Sequence, residues 1–431
     1  MESTHSYPEK QKPIVLVFVR YYLPGHKSGG PVRSISNIVA ALGEDFDFRI
    51  ITLDRDVQDP RPYKSIITNC WNDMDGVQVY FHSNNILNSI KLANEVRLCK
   101  FDVAYFNSYF DPLFSILHIL LFRIGFYPSA RVIVAPRGEF SQGALSLKRV
   151  KKKCYIVFSK LLDLYQNVKW HASTTYEESD ILRVFFGYSA GSAGSAGSTG
   201  STGSVEHKQI VIAKNFSSLR ILVASDLVSR NILTGERYRI ERKLNDVIRI
   251  VFISRITRKK NIDFALRTLK NVSAHVEFGI YGNIEDENYW KECENVIASL
   301  PNNIQVTYYG DIKHEHVVST FSKYDLFFFP TRGENFGHVI AEALTAGIPV
   351  LISDQTPWLD VESEGAGWIR SLEDEGGFAA VIDRFASLSS VERDAFVSRV
   401  CSYAFKKLSD ESVLDANRKL FQIDETGRHG G

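Results

Sequence analysis

Features that define several common protein classes are scarce in this chain of 431 residues. The five cysteines are scattered and include no C-x-x-C pair, so their usage predicts reduced thiols in the cytosol and argues against a disulfide framework. The first twelve residues are polar and lack the apolar core of a secretory signal. The strongly apolar stretch Leu113 to Phe126, preceded by Asp111-Pro112, is shorter than the ~20 residues of a membrane span and predicts a core helix.

An excess of charge is also missing. The formal net charge is +1, which gives no bulk electrostatic reason to expect a nucleic-acid partner. Metal-ligand spacing is weak as well. His314 and His316 are two residues apart, so they point to different sides of a helix, and no third ligand accompanies them. We therefore expect neither nucleic-acid binding nor a metal site.

Short apolar runs alternate with helical patterns along the chain. This alternation predicts an α/β fold with largely parallel sheets, and the length allows two domains. The predicted strands are Ile14–Val19, Phe48–Leu53, Val77–Phe81, Val103–Phe106, Val132–Ala135, Val168–Ala172, Ile210–Ala213, Val247–Ile253, Val276–Tyr281, Ile304–Tyr309, Leu326–Phe329 and Ile348–Ile352.

Changes in composition suggest the domain limits. We predict a first domain over 1–216, a linker over 217–245, a second domain over 246–400, and a C-terminal helix and tail over 401–431 that return toward the first domain. Ser189 to Ser204 is a pure Ser/Ala/Gly/Thr repeat, which cannot bury a core and resembles an engineered replacement of a loop.

The most informative stretch runs from Asp325 to Ser353. It contains a buried strand, a polar loop, an amphipathic pattern from Phe336 to Ala346 that ends before Gly347 and Pro349, and a second buried strand. Open parallel sheets bind ligands at the carboxyl ends of their strands. The predicted helix start at Phe336, Gly337 and His338 offers backbone N–H groups and a positive dipole end, which suit a diphosphate.

Two carboxylates flank this predicted anion site. Glu334 lies in the loop before it, and Glu342 lies eight residues further on, inside the predicted helix. Carboxylates are poor partners for phosphate but good acceptors for paired hydroxyl groups. A phosphate bracketed by hydroxyl-bearing rings describes a nucleotide sugar.

These residues resemble the E-x7-E signature of glycosyltransferase family 4, retaining enzymes of the GT-B fold. The matching positions are Glu334, Phe336, Gly337, Glu342, Ala343, Gly347, Pro349 and Val350. The resemblance implies two Rossmann-like domains that face each other across a cleft, with donor bound mainly by the second. It also implies a transfer that retains anomeric configuration and needs no metal or other cofactor, and we find no Asp-x-Asp motif placed in such a cleft.

The resemblance also assigns roles to individual residues. Arg255 and Lys260 match an Arg-x4-Lys pair that neutralises the donor diphosphate, and fixed cations of this kind stabilise a leaving group that gains negative charge. Glu342 is expected to bind the ribose and Glu334 the transferred sugar. The remaining expected donor contacts are Asn335, Phe336, Gly337, His338, the backbone near Ile312, and the pair Gly29 and Gly30 across the cleft.

On the first domain we expect the acceptor. The candidates are Arg137 and Glu139, which follow a predicted strand, and His171, which lies near the end of another, although a lone histidine is more often structural. The segment 147–162 combines a basic run with an amphipathic pattern. This pattern fits either an interfacial helix on an anionic membrane or a solvated basic face.

The sequence therefore predicts a retaining glycosyltransferase that moves a sugar from a nucleotide diphosphate to a glycan or a lipid-diphosphate-linked acceptor. We expect it to act in bacterial polysaccharide biosynthesis, in the cytoplasm or at the inner face of the plasma membrane. The alternative is a non-catalytic protein of the same fold that binds nucleotide sugars or glycans. Intact charges at Arg255, Lys260, Glu334 and Glu342 argue against this alternative.

Two further alternatives lack their own signatures. A glucan synthase of this fold usually opens with Lys-x-Gly-Gly, and a dinucleotide-dependent oxidoreductase needs a glycine fingerprint with an acidic residue ~20 positions further on; the sequence has neither. One departure from the resemblance is Lys214-Asn215-Phe216, where Pro-Asn-Gly is usual, so the connection after the first domain is not predicted in detail.

Overall fold

The computed structural model describes residues 11–146, 148–187, 221–228 and 247–423. The chain divides into two compact units. One consists of Met1–Ser225 with Leu414–Gly431, and the other of Asp226–Val413. The change of unit after Ser225 falls inside the segment 217–245 that was predicted as a linker, but part of that segment, Ile221–Val223, is a strand of the first unit.

Within the described residues, the first unit is built on one sheet of eight strands in the order β3-β4-β2-β1-β5-β6-β7-β8. Its neighbouring strands are parallel except for β3 and β4. The strands are β1 Ile14–Phe18, β2 Asp47–Leu53, β3 Trp71–Met74, β4 Val77–His82, β5 Val103–Phe106, β6 Arg131–Val134, β7 Lys169–Ala172 and β8 Ile221–Val223.

Helices follow most of these strands, as the alternating pattern predicts. They are α1 Gly30–Leu42, α2 Ile86–Leu98, α3 Leu117–Arg123, α4 Gln142–Ser146, α5 Arg149–Leu161 and α6 Thr175–Phe186. The first unit also includes most of a C-terminal helix, whose Phe421 packs against Phe46, Phe48 and Tyr105.

The second unit contains, within its described residues, a parallel sheet in the order β11-β10-β9-β12-β13-β14. Its strands are β9 Val247–Ile253, β10 His275–Tyr281, β11 Ile304–Gly310, β12 Leu326–Phe329, β13 Val350–Ser353 and β14 Gly367–Arg370. Its helices are α7 Ile262–Leu269, α8 Glu287–Ile297, α9 Val317–Phe321, α10 His338–Thr345, α11 Glu375–Ala386 and α12 Ser390–Leu408, and the C-terminal helix α13 is Glu411–Phe421.

The central strand β12 shows why an uninterrupted apolar run forms a strand here. Leu326, Phe327, Phe328 and Phe329 are all 0% exposed, because helices cover both faces of a parallel sheet in this architecture. The strand ends at Pro330, and the following loop lies at the carboxyl edge of the sheet. The predicted α/β class with parallel sheets is confirmed.

Two predicted helices differ from those observed. The stretch Leu113 to Phe126 is a π-helical turn, Pro112–Ile116, followed by the shorter helix α3. The Asp111 carboxylate accepts bonds from the N–H groups of Leu113 and Phe114, which fixes this start. The helix predicted from Phe336 begins two residues later, because Gly337 has φ +85° and cannot be part of it.

The strands β3, β8 and β14 were not predicted, since each is short and at most one of its residues is buried. Several sequence predictions concern residues outside the described part of the chain. They are the repeat Ser189–Ser204, the strand Ile210–Ala213, the segment Lys214–Phe216, Leu147 and the last residues of the tail. Among the described helices, none combines the length and apolarity needed to cross a bilayer.

We expect Phe328→Ala to destabilise the protein by about 3–5 kcal/mol, because it leaves a cavity in a fully buried strand. The Phe328 ring packs 5.6 Å from that of Phe378, measured between centroids. Urea denaturation of the full chain measures the effect. Phe405→Ala is the matched control, since Phe405 is 65% exposed and its loss should change stability by less than about 0.5 kcal/mol. Equal effects of both substitutions would contradict the assigned burial.

Candidate functional site

Two neighbouring strands of the second unit deliver the predicted donor residues to one edge. β9 and β12 pair in parallel, with Leu326 opposite Ile250, so the loops that follow them lie side by side. The first loop carries Arg255 and Lys260, and the second carries Glu334. Backbone bonds join the loops, for example from Arg332 N to the carbonyl oxygen of Lys259 at 2.9 Å.

Lys260 and Glu334 form an ion pair in this position. Lys260 Nζ donates to Glu334 Oε1 at 2.6 Å, and the hydroxyl of Thr331 donates to the same oxygen at 2.9 Å. The two charged side chains are only 12% and 10% exposed. Lys260 Nζ also lies 5.4 Å from the centroid of the Phe329 ring. The structure thus brings together two residues that the sequence predicted for the same site.

The charges of this pair influence each other. Burial raises the pKa of Glu334, but the charges of Lys260 and Lys259 and the hydrogen bonds from Lys260 and Thr331 together outweigh burial and hold the pKa below its ordinary value. Burial lowers the pKa of Lys260, Glu334 opposes that change, and the nearby charge of Arg255 lowers the pKa further. Glu334 is therefore ionised at neutral pH and acts only as a hydrogen-bond acceptor.

Asn261 completes the junction of the two loops, and sequence analysis missed it. Its side-chain amide donates to the carbonyl of Pro330 at 2.9 Å, and its Oδ1 accepts from Arg332 Nε at 3.0 Å. The residue is 0% exposed and has φ +64°, a conformation that asparagine tolerates better than most residues. In the sequence, only an asparagine directly before α7, at the end of the loop that carries Lys260, indicates this role.

The start of α10 is shaped by Gly337. Besides its positive φ, a Cβ at this position would lie 3.0 Å from Ile340 Cδ1, so a side chain would be both strained and crowded. Phe336 is buried just before it, and its carbonyl accepts a bond from Trp358 Nε1 at 2.6 Å. The backbone before α10 is therefore held in one conformation, as an anion-binding helix start requires.

Two acidic residues meet imidazoles near this helix. Glu342 is 2% exposed within α10, and its Oε1 lies 3.5 Å from Nδ1 of His314, whose side chain is 47% exposed. His338 is buried, and its Nε2 lies 3.1 Å from Oδ2 of Asp226. His314, which sequence analysis considered only as a metal ligand, is thus the neighbour of the carboxylate predicted to bind ribose.

The other predicted donor residues of this unit lie around the same edge. Arg255 donates to Glu285 Oε1 at 2.8 Å and is 40% exposed at its side chain. Asn335 is half-buried in the loop between Glu334 and Phe336, and Ile312 is half-buried after β11. In the described part of the chain, no group of three or more His, Cys, Asp or Glu side chains is arranged to hold a metal ion.

In the first unit, Gly29 and Gly30 begin α1. Gly29 has φ +70°, and a Cβ at either glycine would meet no described atom within 4 Å. The loop before them is fixed by Asp56, which is 3% exposed and accepts bonds from the N–H groups of His26 and Lys27 at 2.7 and 3.1 Å. The loop is therefore fixed at His26 and Lys27, and the described side chains do not cover the backbone of Gly29 and Gly30 that follows.

Arg137 and His171, two predicted acceptor residues, belong to one hydrogen-bond relay of the first unit. His171 Nε2 lies 2.8 Å from the Ala224 carbonyl, so this nitrogen must carry the proton. Nδ1 then accepts from the Tyr105 hydroxyl at 2.7 Å, and the Tyr105 oxygen accepts from Arg137 Nη2 at 2.8 Å. Arg137 Nε donates to Asn107 Oδ1 at 2.7 Å. His171, which is 0% exposed, is thus placed to position Arg137 through Tyr105.

Glu139, the third predicted acceptor residue, holds a neighbouring loop. Its carboxylate accepts bonds from the Ser108 hydroxyl and from the N–H groups of Tyr109 and Phe110, at 2.7, 2.7 and 3.1 Å. Burial raises the pKa of Glu139. The buried Glu177 has a similar role, since it accepts from Gly138 N at 2.6 Å and from Ser173.

Parts of the chain are similar in sequence to known proteins. Residues 236–398 match the family model described as Glycosyl transferases group 1. The chain is 24% identical over 202 residues to the capsular polysaccharide biosynthesis glycosyltransferase CapM of Staphylococcus aureus, covering 44% of this chain and 50% of that protein. It is 29% identical over 140 residues to a 41.2 kDa protein of the cps region of Klebsiella pneumoniae, covering 32% and 36%. The chain thus matches half or less of the length of these curated relatives.

Solved structures share the fold over almost the whole chain. Anabaena Alr3699/HepE, in complex with UDP and glucose, has a TM-score of 0.65 at 13% identity and covers 95% of this chain and 98% of its own. WaaG, a glycosyltransferase involved in lipopolysaccharide biosynthesis, has a TM-score of 0.63 at 12% identity and covers 96% and 100%. This shared fold confirms the predicted GT-B architecture.

We expect a double-mutant cycle to detect the ion pair at the edge of the second sheet. Lys260→Met and Glu334→Gln should each cost about 3 kcal/mol, since each leaves a partner buried without compensation, and the double variant should cost less than the sum. Urea denaturation at pH 7 measures this coupling. Additive effects would contradict the pair.

The coupling should also depend on pH. The folded pKa of Glu334 lies below its ordinary value, so the stabilisation is complete above the unfolded carboxyl pKa of about 4.3. It is lost as the pH falls through the folded pKa. The stability difference between wild type and Lys260→Met should therefore narrow on acidification, and a constant difference would contradict the assigned charge of Glu334.

Proposed function

We propose that this protein is a glycosyltransferase that moves a sugar from a nucleotide diphosphate to a glycan or lipid-linked acceptor in bacterial polysaccharide biosynthesis. The observation that carries the proposal is the ion pair of Lys260 and Glu334 at the carboxyl edge of the second sheet, beside Arg255 and the start of α10. Residues 236–398, which match the group 1 model, include all of these groups.

The charges of this edge suit the donor. An ammonium group has three N–H donors, so Lys260 can donate to Glu334 and to a phosphate oxygen at once. Arg255 is partly exposed and can exchange its bond with Glu285 for a second phosphate contact. Both cations would stabilise the negative charge that the leaving nucleoside diphosphate gains. We therefore propose a reaction without a metal cofactor.

The carboxylates suit the hydroxyl groups of the donor. Glu334 is ionised and has its second oxygen, Oε2, for a hydroxyl of the transferred sugar. Glu342 is buried within α10 and would accept bonds from the ribose, with His314 as a neighbouring group that can donate. The rigid backbone at Phe336 and Gly337 would face the diphosphate. Each donor part thus has a partner of matching chemistry.

We propose that the transfer retains the anomeric configuration, as the resemblance to family 4 implies. The bond between the anomeric carbon and the diphosphate oxygen breaks, and the acceptor hydroxyl bonds to the same face of that carbon. Its proton passes to the departing diphosphate oxygen. This route needs no separate general base, in agreement with the use of Glu139 and His171 as structural acceptors and positioning groups.

Helix α5 supports the proposal of a membrane contact through the segment 147–162. Its exposed apolar side chains recur at helical spacing on one face, where they are flanked by basic residues: Val150, Cys154, Val157, Phe158 and Leu161. The basic residues around this face are Lys148, Arg149, Lys151, Lys153 and Lys160. An apolar stripe between cations is typical of a helix that lies in an anionic interface. We therefore propose a location at the cytoplasmic face of the plasma membrane.

We expect Glu342→Ala to abolish the stabilisation that the cognate nucleoside diphosphate sugar gives in a thermal-shift screen with EDTA present. For wild type, ligand at roughly 100 times Kd should add about 2.7 kcal/mol. The exposed Glu373 provides the matched control, Glu373→Ala, which should bind as wild type. Arg255→Ala should lower turnover by at least tenfold. Wild-type binding and turnover in both site variants would refute the assignment, and binding without turnover would favour the non-catalytic alternative.

We expect the protein to float with vesicles that contain anionic phosphatidylglycerol and not with pure phosphatidylcholine vesicles. The variant Phe158→Ser/Leu161→Ser should lose this binding, because it removes the apolar contact. Ile86→Ser/Leu87→Ser is the matched control. These side chains lie on α2 and, at 80% and 79%, are at least as exposed as Phe158 and Leu161, which are 51% and 78% exposed. Unchanged flotation of the α5 variant would refute the contact.

A further inference from the structure

One face of the second sheet carries a groove that the donor site does not use. Its volume is about 460 Å³, within the ~300–1,000 Å³ range of ligand pockets. The groove runs along β10 and the edge strand β11. Parallel register places Glu277 opposite Gln305 and Gly279 opposite Thr307, so these residues share the face. The groove extends to the amino-terminal halves of the strands, whereas the donor residues follow their carboxyl ends.

Gly279 forms the floor of the groove. A Cβ at this position would lie 2.2 Å from the hydroxyl oxygen of Tyr324, so only glycine allows that ring to lie across the strand. The Tyr324 hydroxyl is in turn 3.1 Å from that of Tyr281. Tyr324 can lie close to the strand because residue 279 is glycine, and its hydroxyl then fixes the position of Tyr281, the next tyrosine along the groove.

Tyr309 is the exposed end of this aromatic group. Its ring stacks on that of Tyr281 with centroids 4.7 Å apart and an angle of 11° between the planes. Stacking covers one face of the ring, yet Tyr309 is still 55% exposed. The result is an aromatic surface that is oriented before any ligand binds, which reduces the entropy lost on binding.

The remaining lining residues are polar. Glu277, Gln305 and Thr307 provide a carboxylate, an amide and a hydroxyl, and Arg249 and Lys323 provide two cations. Two cations and one carboxylate leave a net charge of only +1, which is too small for the groove to match a polyanion such as a nucleic acid. A pyranose ring matches it, because one face of the ring presents C–H groups to an aromatic surface while its hydroxyls meet polar side chains.

We propose that this groove binds an oligosaccharide segment, with one sugar ring on Tyr309 and neighbouring hydroxyls bonded to Glu277, Gln305 and Thr307. The groove would hold a glycan apart from the residues that bind the donor. Only the source of the segment, the growing polysaccharide, rests on the function proposed above. The binding chemistry itself follows from the lining of the groove.

The experiment uses the full chain with maltohexaose, cellohexaose and hyaluronan hexasaccharide at millimolar concentration. Saturation-transfer NMR measures binding, and hydroxyl-radical footprinting measures the exposure of Tyr309. We expect at least one hexasaccharide to bind and to protect Tyr309. Tyr309→Ala should weaken that binding at least tenfold, and Tyr309→Trp should restore it. Tyr176→Ala is the matched control, since Tyr176 is 59% exposed in the first unit, and it should change binding less than twofold.

Three results would overturn the proposal: no binding of any hexasaccharide, binding that Tyr309→Ala leaves unchanged, or protection of Tyr309 before ligand is added, which would mean that another part of the chain covers the groove. Thermal shifts with nucleoside diphosphates, measured on the same samples, test the proposed function separately. Hexasaccharide binding without nucleotide binding would support the glycan groove and refute the proposed transferase. Nucleotide binding without hexasaccharide binding would support the transferase and refute the glycan groove.

Discussion

The ion pair between Lys260 and Glu334 joins two loops whose charged residues are 74 positions apart in the chain. Each of these charges would be unfavourable at a largely buried sheet edge without the other. Their pairing therefore depends on the parallel neighbours β9 and β12, which deliver both loops to one place. Thr331 donates a further bond to the carboxylate of the pair, and Asn261 joins the two loops beside it.

The first unit also uses carboxylates to fix loops, here through hydrogen bonds from backbone N–H groups. The carboxylates of Asp56, Glu139 and Glu177 accept bonds from the N–H groups of loops, so these loops are fixed without regular secondary structure. The relay from Ala224 through His171 and Tyr105 reaches Arg137, whose φ of +54° is unusual for a residue with a side chain. Arg137, Glu139 and His171, which the sequence offered as acceptor candidates, thus all take part in the hydrogen bonds of the first unit.

The sequence predicted elements best where burial alone decides them. β12 has the predicted bounds, because an apolar run closed by proline has few alternatives. Predictions were less accurate where a local conformation competes. Gly337 delays the start of α10, and one predicted helix begins with a π-helical turn that Asp111 caps. The strands β3, β8 and β14 are too short for their apolar pattern to be recognised.

The sequence by itself determined the α/β class, since the spacing of apolar residues is a local property of the chain, and its resemblance to a known family implied the GT-B fold. It also named Lys260, Glu334 and Glu342. Only the tertiary structure decided which groups these residues meet. Asn261 at the loop junction, His314 beside Glu342 and the tyrosines of the groove come from separate strands and loops. Such contacts depend on strand order and register, which no short stretch of sequence encodes.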